Sequence, residues 1–325
     1  MSSSLLIQSP RLIVDIAKPG AVYHGSRFDW TAFVMQVTLD GRHTFCAPED
    51  PNPAQGTGGL GLCNEFGIEK AIGYDEAAPG ELFPKLGIGL LRRDDERTYN
   101  FFRPYEIAER FPMKAEIQAD TVCFTVEPVD CRGHAARLTK TVSVRDNQLE
   151  IGYRLENMGT KTLATHEYCH NFLCIDDHPL GPDYRLRFPY PVELQDNEAI
   201  IRSHLPKEMR KLPEDMLARI IAAHKQQSRA IFDIQNETLR LNAVPDKPFY
   251  CRLEGFFPTQ KPQWVLTHAP SGVTVCEYDD FAPSRVAVWG TTHVISAEVF
   301  LDFHIEPGQS QAWTRRYVFE ETPDF

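Results

Sequence analysis

The feature that most constrains the fold is an alternation of apolar and polar residues with a period of two, which recurs along most of the chain. Clear examples are DTVCFTVEPV, LEIGYRLEN, ETLRLNAV, SRVAVWG and AEVFLDFHI. These segments are rich in Val, Ile, Phe, Tyr and Thr, and Gly, Pro, Asn or Asp residues bound them. Because successive side chains of a strand point to opposite faces, the pattern predicts half-buried β-strands.

One segment, LPEDMLARIIAAHKQQ, has helical spacing instead. Pro213 stands near its start and acidic residues fill its first turn, which favours a helix N-terminus. The spacing predicts that its apolar residues share one face; they are Met216, Leu217, Ile220 and Ile221. No internal repeat or linker interrupts the 325 residues. The sequence therefore predicts one mostly antiparallel all-β domain, spanning residues 1–325, with one inserted helix.

Composition narrows the possible partners and the cell compartment. The net charge of −11 argues against nucleic acid and against an anionic membrane as partners. The N-terminal segment lacks a basic, apolar signal pattern, and no apolar run reaches the roughly 18 residues of a membrane helix. The eight cysteines are scattered without a C-x-x-C pair, as is typical of reduced, buried thiols. We therefore expect a cytoplasmic protein; the sequence leaves its oligomeric state open.

Residues 51–91 differ from the alternating segments because Gly and Pro are frequent there. The run GTGGLG lacks the Lys-Ser/Thr and the strand–helix frame of a phosphate-binding loop. The simplest interpretation is a long surface connection; because connections of that length in compact domains are usually functional, we favour the rim of a pocket.

The segment HEYCH, residues 166–170, has the H-E-x-x-H pattern of zinc peptidases. That pattern binds zinc on a helix, where residues four apart lie one turn apart. The alternating segments around HEYCH, joined by a turn at residues 157–159, predict a strand instead. Residues four apart on a strand are separated by about 13 Å, so the two histidines are not expected to share a metal.

A strand also places His166, Tyr168 and His170 on the same face, with Asn171 directly after them. Two imidazoles and a phenol give this strand face a polar wall, unlike the apolar face of a strand that packs in the core. We interpret this wall as a ligand site. The alternative is that these side chains bond to buried carbonyl groups.

The string ENMGTKTLATHEYCHNFL resembles the aldose 1-epimerase (galactose mutarotase-like) superfamily. Residues 165–168 match its H-x-Y core, and residues 169–173 match F-N-L with an apparent one-residue insertion. HVISAEVFLDFHIEPGQSQ resembles the final catalytic strand and the P-G-E/Q segment. FPKLGIGLLRRDD resembles P-x-H-G-F-A-R, although Leu86, or Lys85 beside it, stands where the family has His.

The resemblance implies a large antiparallel β-supersandwich and an isomerase that interconverts sugar anomers without a cofactor. It implies that His166 is the general acid and Glu298 the general base, facing each other across one pocket at about the width of a sugar ring. The candidate substrate-binding residues are Tyr168, His170, Asn171, Lys85, Arg92, Glu65 and Trp289. For the charged residues in that set, a structural ion pair is the alternative role. Glu298 has its own alternative, because its strand face is mixed and could point to solvent.

The chemistry is consistent with these residue types. To open an aldose ring, a base removes the proton of the anomeric hydroxyl while an acid protonates the ring oxygen, and neither a metal nor an organic cofactor is needed. His and a partly buried Glu suit these roles. The expected partner is a small sugar or sugar derivative. The alternatives are a non-catalytic carbohydrate-binding or sensing module of the same fold and, third, a zinc peptidase.

Overall fold

The computed structural model describes residues 2–50, 57–194, 202, 205, 209–256 and 263–321, with the backbone alone at 224 and 227–229. Within these residues nearly all regular structure is β-strand, as the alternation predicts. The strands are β1 (Ser4–Gln8), β2 (Leu12–Ala17), β3 (Val34–Leu39), β4 (His43–Thr44), β5 (Leu62–Phe66), β6 (Leu82–Lys85), β7 (Gly89–Arg92), β8 (Ile107–Arg110), β9 (Met113–Gln118), β10 (Thr121–Val126), β11 (Ala136–Arg145), β12 (Gln148–Asn157), β13 (Leu163–Asn171), β14 (Tyr184–Arg187), β15 (Glu193–Leu194), β16 (Phe232–Gln235), β17 (Thr238–Leu241), β18 (Phe249–Glu254), β19 (Trp264–His268), β20 (Val273–Asp279), β21 (Arg285–Gly290), β22 (Ile295–Ile305) and β23 (Ser310–Glu321). The long helix is α1 (Glu214–Ile231), and short 3₁₀ turns span Tyr74–Glu76, Ile175–Asp177 and Met209–Lys211.

The strands form two large antiparallel sheets. The first sheet has the order β1-β2-β3-β5-β13-β22-β21-β18-β15, with β4 beside β3. The second sheet has the order β16-β17-β14-β19-β20-β23-β12-β11-β10-β9. A small third sheet, β6-β7-β8, is separate from both. The predicted all-β antiparallel architecture with an inserted helix is confirmed.

The apolar side of each strand alternation is buried in the core. In β12, for example, Leu149, Ile151, Tyr153 and Leu155 are buried while the residues between them are more exposed. Residues of both large sheets belong to one apolar cluster. The hydrophobic effect therefore drives the two sheets to pack face to face.

The helix α1 begins at Glu214, directly after Pro213, as its sequence predicts. Leu217 and Ile221, one turn apart, are buried. The prediction that Met216 shares their face is wrong, because its side chain is 49% exposed. The buried stripe is narrower than the apolar pattern suggests.

The interpretation of residues 51–91 as one long surface connection is wrong for the described part, whereas Ile68 and Glu69 do line a cavity, as the predicted pocket rim requires. Residues 51–56 lie outside the described residues, but β5 is buried along its whole length and pairs with β13 in the middle of the first sheet. The glycines mark turns at its ends. Gly61 has φ of 59°, and a Cβ there would lie 2.0 Å from the carbonyl oxygen of Val34. Only glycine fits such a close approach, so Gly-rich sequence here marks turns between buried strands.

Ionisable side chains bridge the two sheets below the strand that carries HEYCH. Arg315 of β23 contacts Glu167 at 2.8 Å, Glu277 at 3.0 Å and Asp279 at 3.4 Å, and all four side chains are fully buried. Burial raises the pKa of Glu277 and of Asp279. One face of β13 is thus committed to the interior, which leaves its other face for a site.

None of the helices in the described part of the chain is long and apolar enough to cross a membrane.

Candidate active site

The site lies on the outer face of the first sheet, where strand register brings together residues distant in sequence. β13 pairs with β22 so that Tyr168 is opposite Phe300. Continuing the same register by two residues places His170 opposite Glu298, and Glu298 is in turn opposite Ala287 of β21. The side chains of Tyr168, His170 and Glu298 therefore share one face.

A cavity of about 350 Å³ opens over this face. Its walls come from four strands, from the segments that precede β3 and β5, and from those that follow β5 and β7. The lining residues are Arg27, Glu49, Ile68, Glu69, Phe101, Phe102, Tyr168, His170, Tyr250, Arg252, Arg285, Trp289, Glu298 and Phe300. A few convergent charged groups within an aromatic enclosure are typical of a small-molecule site.

Glu298 and His170 are in contact inside this cavity. The Nε2 atom of His170 lies 3.3 Å from Oε1 of Glu298, and both side chains are almost fully buried. Burial raises the pKa of Glu298 to about 8; the nearby Arg27 and Arg285 oppose the shift, and the carboxylates of Glu65 and Glu49 add to it. Glu298 therefore carries a proton near neutral pH.

His170 is held in the opposite protonation state. Burial and the charge of Arg27 lower its pKa well below the usual value, so its imidazole is neutral. The ring stacks on Phe172 at a centroid distance of 3.9 Å and meets Trp289 edge-on at 4.9 Å. Because packing fixes the ring, Nε2 stays directed at the carboxyl group of Glu298. In this pair the Glu298 carboxyl group holds a proton that it can donate, and the neutral imidazole of His170 can accept one.

Behind the cavity wall, a buried charged layer orients Arg27 and Tyr168. The Nε atom of Arg27 donates to Glu65 at 2.8 Å and its NH2 group donates to the hydroxyl of Tyr168 at 3.1 Å. That hydroxyl donates to Glu65 at 2.8 Å, and Lys85 lies 3.6 Å from the same carboxylate. Burial lowers the pKa of Lys85 to about 8, with Glu65 opposing. Shared partners make this layer rigid.

Aromatic side chains lie at the outer part of the cavity. Phe101 packs on Phe102 with centroids 4.0 Å apart, and Arg27 lies over the Phe101 ring at 4.5 Å. Phe102 is 65% exposed and Tyr250 is 38% exposed. Large exposed aromatic groups at the mouth of a polar cavity suit a ligand with both apolar faces and hydroxyl groups, as a sugar has.

The predicted placement of His166 across the pocket from Glu298 is not what the structure has. His166 is opposite Asp302, four residues along β22 from Glu298, which corresponds to about 13 Å. It lines a neighbouring cleft instead. His170 takes the place beside Glu298, and the two groups touch rather than lying a ring width apart.

Two predicted substrate ligands point away from the cavity. Asn171 lies on the interior face of β13, where its amide donates to the carbonyl of Ala297 at 2.8 Å and accepts from Tyr317 at 3.0 Å. Arg92 is a surface residue paired with Glu106 at 2.8 Å. Neither lines the cavity, so both are corrections to the sequence-based set.

The other predicted residues are near the site in two different positions. Tyr168, His170, Trp289 and Glu298 line the cavity. Glu65 and Lys85 do not line it and lie in the buried layer behind Arg27 and Tyr168. The one-face alignment of His166, Tyr168 and His170 is confirmed by the strand register.

Several cavity residues were outside the sequence-based set. Six of them lie between strands, where no alternation points to a face: Arg27, Glu49, Ile68, Glu69, Phe101 and Phe102. The others occupy strand positions that the register relates to Glu298: Tyr250, Arg252, Arg285 and Phe300. Arg285 and Phe300 belong to the predicted strands SRVAVWG and AEVFLDFHI, on the same face as Glu298, so alternation alone was a usable signal for them.

HEYCH is on strand β13, as predicted, so the helical geometry that the zinc peptidase motif needs is absent there. Among the described residues no group of three or more His, Cys, Asp or Glu side chains is placed to hold a metal ion.

No protein-family model matches this chain, and no curated protein shows significant sequence similarity to it. Solved structures do match, over almost the whole length. A galactose mutarotase-like protein from Clostridium acetobutylicum matches with a TM-score of 0.58 and 10% identity, covering 98% of this chain and 95% of that one. The galactose mutarotase related enzyme from Lactobacillus acidophilus matches with 0.55 and 13%, covering 99% and 98%.

The GalM/aldose epimerase homologue from C. elegans gives a TM-score of 0.56 at 10% identity, covering 99% of this chain and 100% of that chain. The chain thus has the galactose mutarotase-like fold, in a divergent form. The resemblance read from the sequence is confirmed at the level of the fold. Fold alone does not assign an activity, which must be argued from the site.

Proposed function

We propose that this protein is an aldose 1-epimerase-like isomerase that interconverts sugar anomers by acid–base ring opening. The observation that carries the proposal is the contact of protonated Glu298 with neutral His170 inside the cavity. Such a pair is ready to donate one proton and accept another, and the reaction needs both transfers.

In the proposed reaction, the Glu298 carboxyl group gives its proton to the ring oxygen while Nε2 of His170 takes the proton of the anomeric hydroxyl. The bond from the anomeric carbon to the ring oxygen breaks and a carbonyl group forms. After the carbonyl rotates, the ring oxygen attacks its other face, His170 returns a proton to the new anomeric hydroxyl, and Glu298 recovers its own. No net proton or electron is consumed.

The contact between the two groups suits this chemistry because the two oxygens that exchange protons are bonded to the same carbon. Neighbouring groups on one wall can therefore reach both. The roles are reversed relative to the sequence-based assignment, since Glu298 starts as the acid and a histidine as the base. Arg27 is oriented by Glu65 towards the cavity and would direct its donors at sugar hydroxyl groups.

The experiment is exchange NMR between the anomers of free hexoses, measured with and without the protein. We expect faster exchange with wild type and a loss of about 10²–10⁴-fold in Glu298→Gln, which is nearly isosteric and removes the proton donor. Sugar binding should survive in this variant. The rate constant kcat/KM should fall as the pH rises through about 8, where Glu298 loses its proton.

The same experiment separates the alternative, a non-catalytic carbohydrate-binding or sensing module. The exposed Phe102 and Tyr250 suit binding as well as catalysis. If wild type binds reducing sugars but their anomers exchange only at the buffer rate, the epimerase proposal is wrong and the binding module replaces it.

A further inference from the structure

A second cleft of about 280 Å³ adjoins the cavity that contains Glu298. The two share Glu69, Arg252 and Arg285 as a common wall. The second cleft is otherwise lined by His166, Leu253, Phe256, Ser284 and Asp302. It lies on the same face of the first sheet and runs along β13 and β22 away from the His170–Glu298 pair.

The walls of the second cleft carry both hydrogen-bond donors and acceptors. Arg252 and Arg285 both bind the carboxylate of Glu69, at 2.9 and 2.5 Å. Asp302, an exposed residue, accepts a hydrogen bond from Ser284 at 2.8 Å. Planar charged side chains of both signs, close together at a surface, match the paired hydroxyl groups of a sugar.

Three donors or acceptors at this wall lack a protein partner. Among the described residues, the Nε atoms of Arg252 and Arg285 and the Nε2 atom of His166 are buried and make no hydrogen bond. Buried polar atoms are almost always paired, so unpaired ones at a cleft wall indicate a missing ligand or water. Hydroxyl groups, which both donate and accept, satisfy all three.

The charge of the cleft favours an uncharged ligand. Two guanidinium groups, Arg252 and Arg285, face two carboxylates, Glu69 and Asp302. His166 adds no charge near neutral pH, because burial and the neighbouring Arg285 lower its pKa. Because the two carboxylates offset the two guanidinium groups, a phosphate or carboxylate would gain no net attraction here, whereas an uncharged sugar ring needs none.

The length of the combined site also matters. His166 and Asp302 are four residues along their strands from His170 and Glu298, which is about 13 Å. One pyranose ring bound at Glu298 is too short to reach that far end. We propose that the second cleft binds a second sugar ring, so that the ligand is a reducing oligosaccharide with its reducing end at Glu298. The orientation of this ligand rests on the proposed epimerase activity.

The test compares glucose with maltose and cellobiose, and with glucose 6-phosphate, by calorimetric binding and by anomer-exchange NMR on the full chain. We expect at least one disaccharide to show about tenfold higher affinity and kcat/KM than glucose. Asp302→Asn, at an exposed position, should lower both values for the disaccharide about tenfold more than for glucose. Glu306→Gln, an exposed change farther along the same chain segment, should leave all values unchanged.

The outcomes distinguish this inference from the proposed function. If the protein speeds anomer exchange of glucose but neither disaccharide has a higher affinity or kcat/KM than glucose, the subsite is overturned and the epimerase proposal stands. Tighter disaccharide binding that depends on Asp302, without exchange of any sugar, would support the subsite and overturn the epimerase proposal. If glucose 6-phosphate has a higher affinity and kcat/KM than glucose and the disaccharides do not, the cleft binds an anionic group and the inference is wrong.

Discussion

Glu298 is a carboxyl group held away from water in the wall of the cavity, beside the imidazole of His170. Its pKa of about 8 lies far above that of a free glutamate because burial penalises the charged form. The two cations in range, Arg27 and Arg285, do not cancel that penalty. At the residue scale, the pocket therefore keeps a proton at a position where solvent-exposed glutamates are ionised.

This proton links Glu298 to stability. Between about pH 4.5 and 8 the folded state keeps a proton that the unfolded state has lost, so Glu298 makes the free energy of unfolding fall as pH rises through this range. Glu298→Gln has no such group. We expect its stability relative to wild type to increase from pH 5 to pH 8, by on the order of a few kcal/mol.

Urea unfolding of both proteins at pH 5, 6, 7 and 8 measures this difference. A difference that is the same at every pH would show that Glu298 titrates normally in the folded protein, which would also argue against its proposed role as an acid near neutrality.

At the scale of elements, β13 carries two different functions on its two faces. Tyr168 and His170 line the cavity, while Glu167 on the opposite face binds Arg315 between the sheets. Adjacent residues of one strand therefore lie alternately in the cavity wall and in the interior between the sheets. The rigidity of the interior face helps to keep the site face in place, because both belong to one backbone.

Removing the buried cation should be costly. Arg315→Met leaves three buried carboxylates without their shared partner, so we expect a loss of about 3–5 kcal/mol of stability. The matched control is Arg316→Met, the next residue of β23, whose side chain is exposed over Tyr278. Its effect should stay within about 0.5 kcal/mol. Equal losses in the two variants would contradict the role of the buried cluster.

The behaviour of β13 also shows what sequence reasoning can reach. Alternation correctly predicted the strand and the shared face of His166, Tyr168 and His170. It could not predict which histidine contacts Glu298, because that depends on the register between two strands about 130 residues apart. The sequence of either strand alone does not determine that register. Asn171 was assigned to the site although its parity places it with Glu167 in the interior.

Residues between strands were the hardest to predict. Arg27 and Phe101 reach the cavity from segments without a periodic pattern, so nothing local indicates their direction. The segment 51–91 was predicted to form a pocket rim, and Ile68 and Glu69 do line the cavity. Its Gly and Pro residues were interpreted as a surface connection. They instead mark the turns of short buried strands, which local composition does not distinguish from loops.

At the scale of the whole molecule, two antiparallel sheets share one apolar core and present one face of the first sheet as the site. The prediction that residues 1–325 are a single domain without a bound metal leads to a direct experiment. Calorimetry should show one unfolding transition, and EDTA should change neither its midpoint nor the exchange of sugar anomers. Two separate transitions, or stoichiometric zinc lost with activity, would contradict it.

Glu298 and His170, on neighbouring strands of the first sheet, are the proposed acid–base pair. The most direct measurement is anomer exchange of a free hexose by NMR in wild type, His170→Asn, His166→Asn and the exposed control His304→Asn. We expect a loss of about 10²–10⁴-fold for His170→Asn, a far smaller loss for His166→Asn, and no change for the control. A large loss in His166→Asn with activity retained in His170→Asn would contradict it.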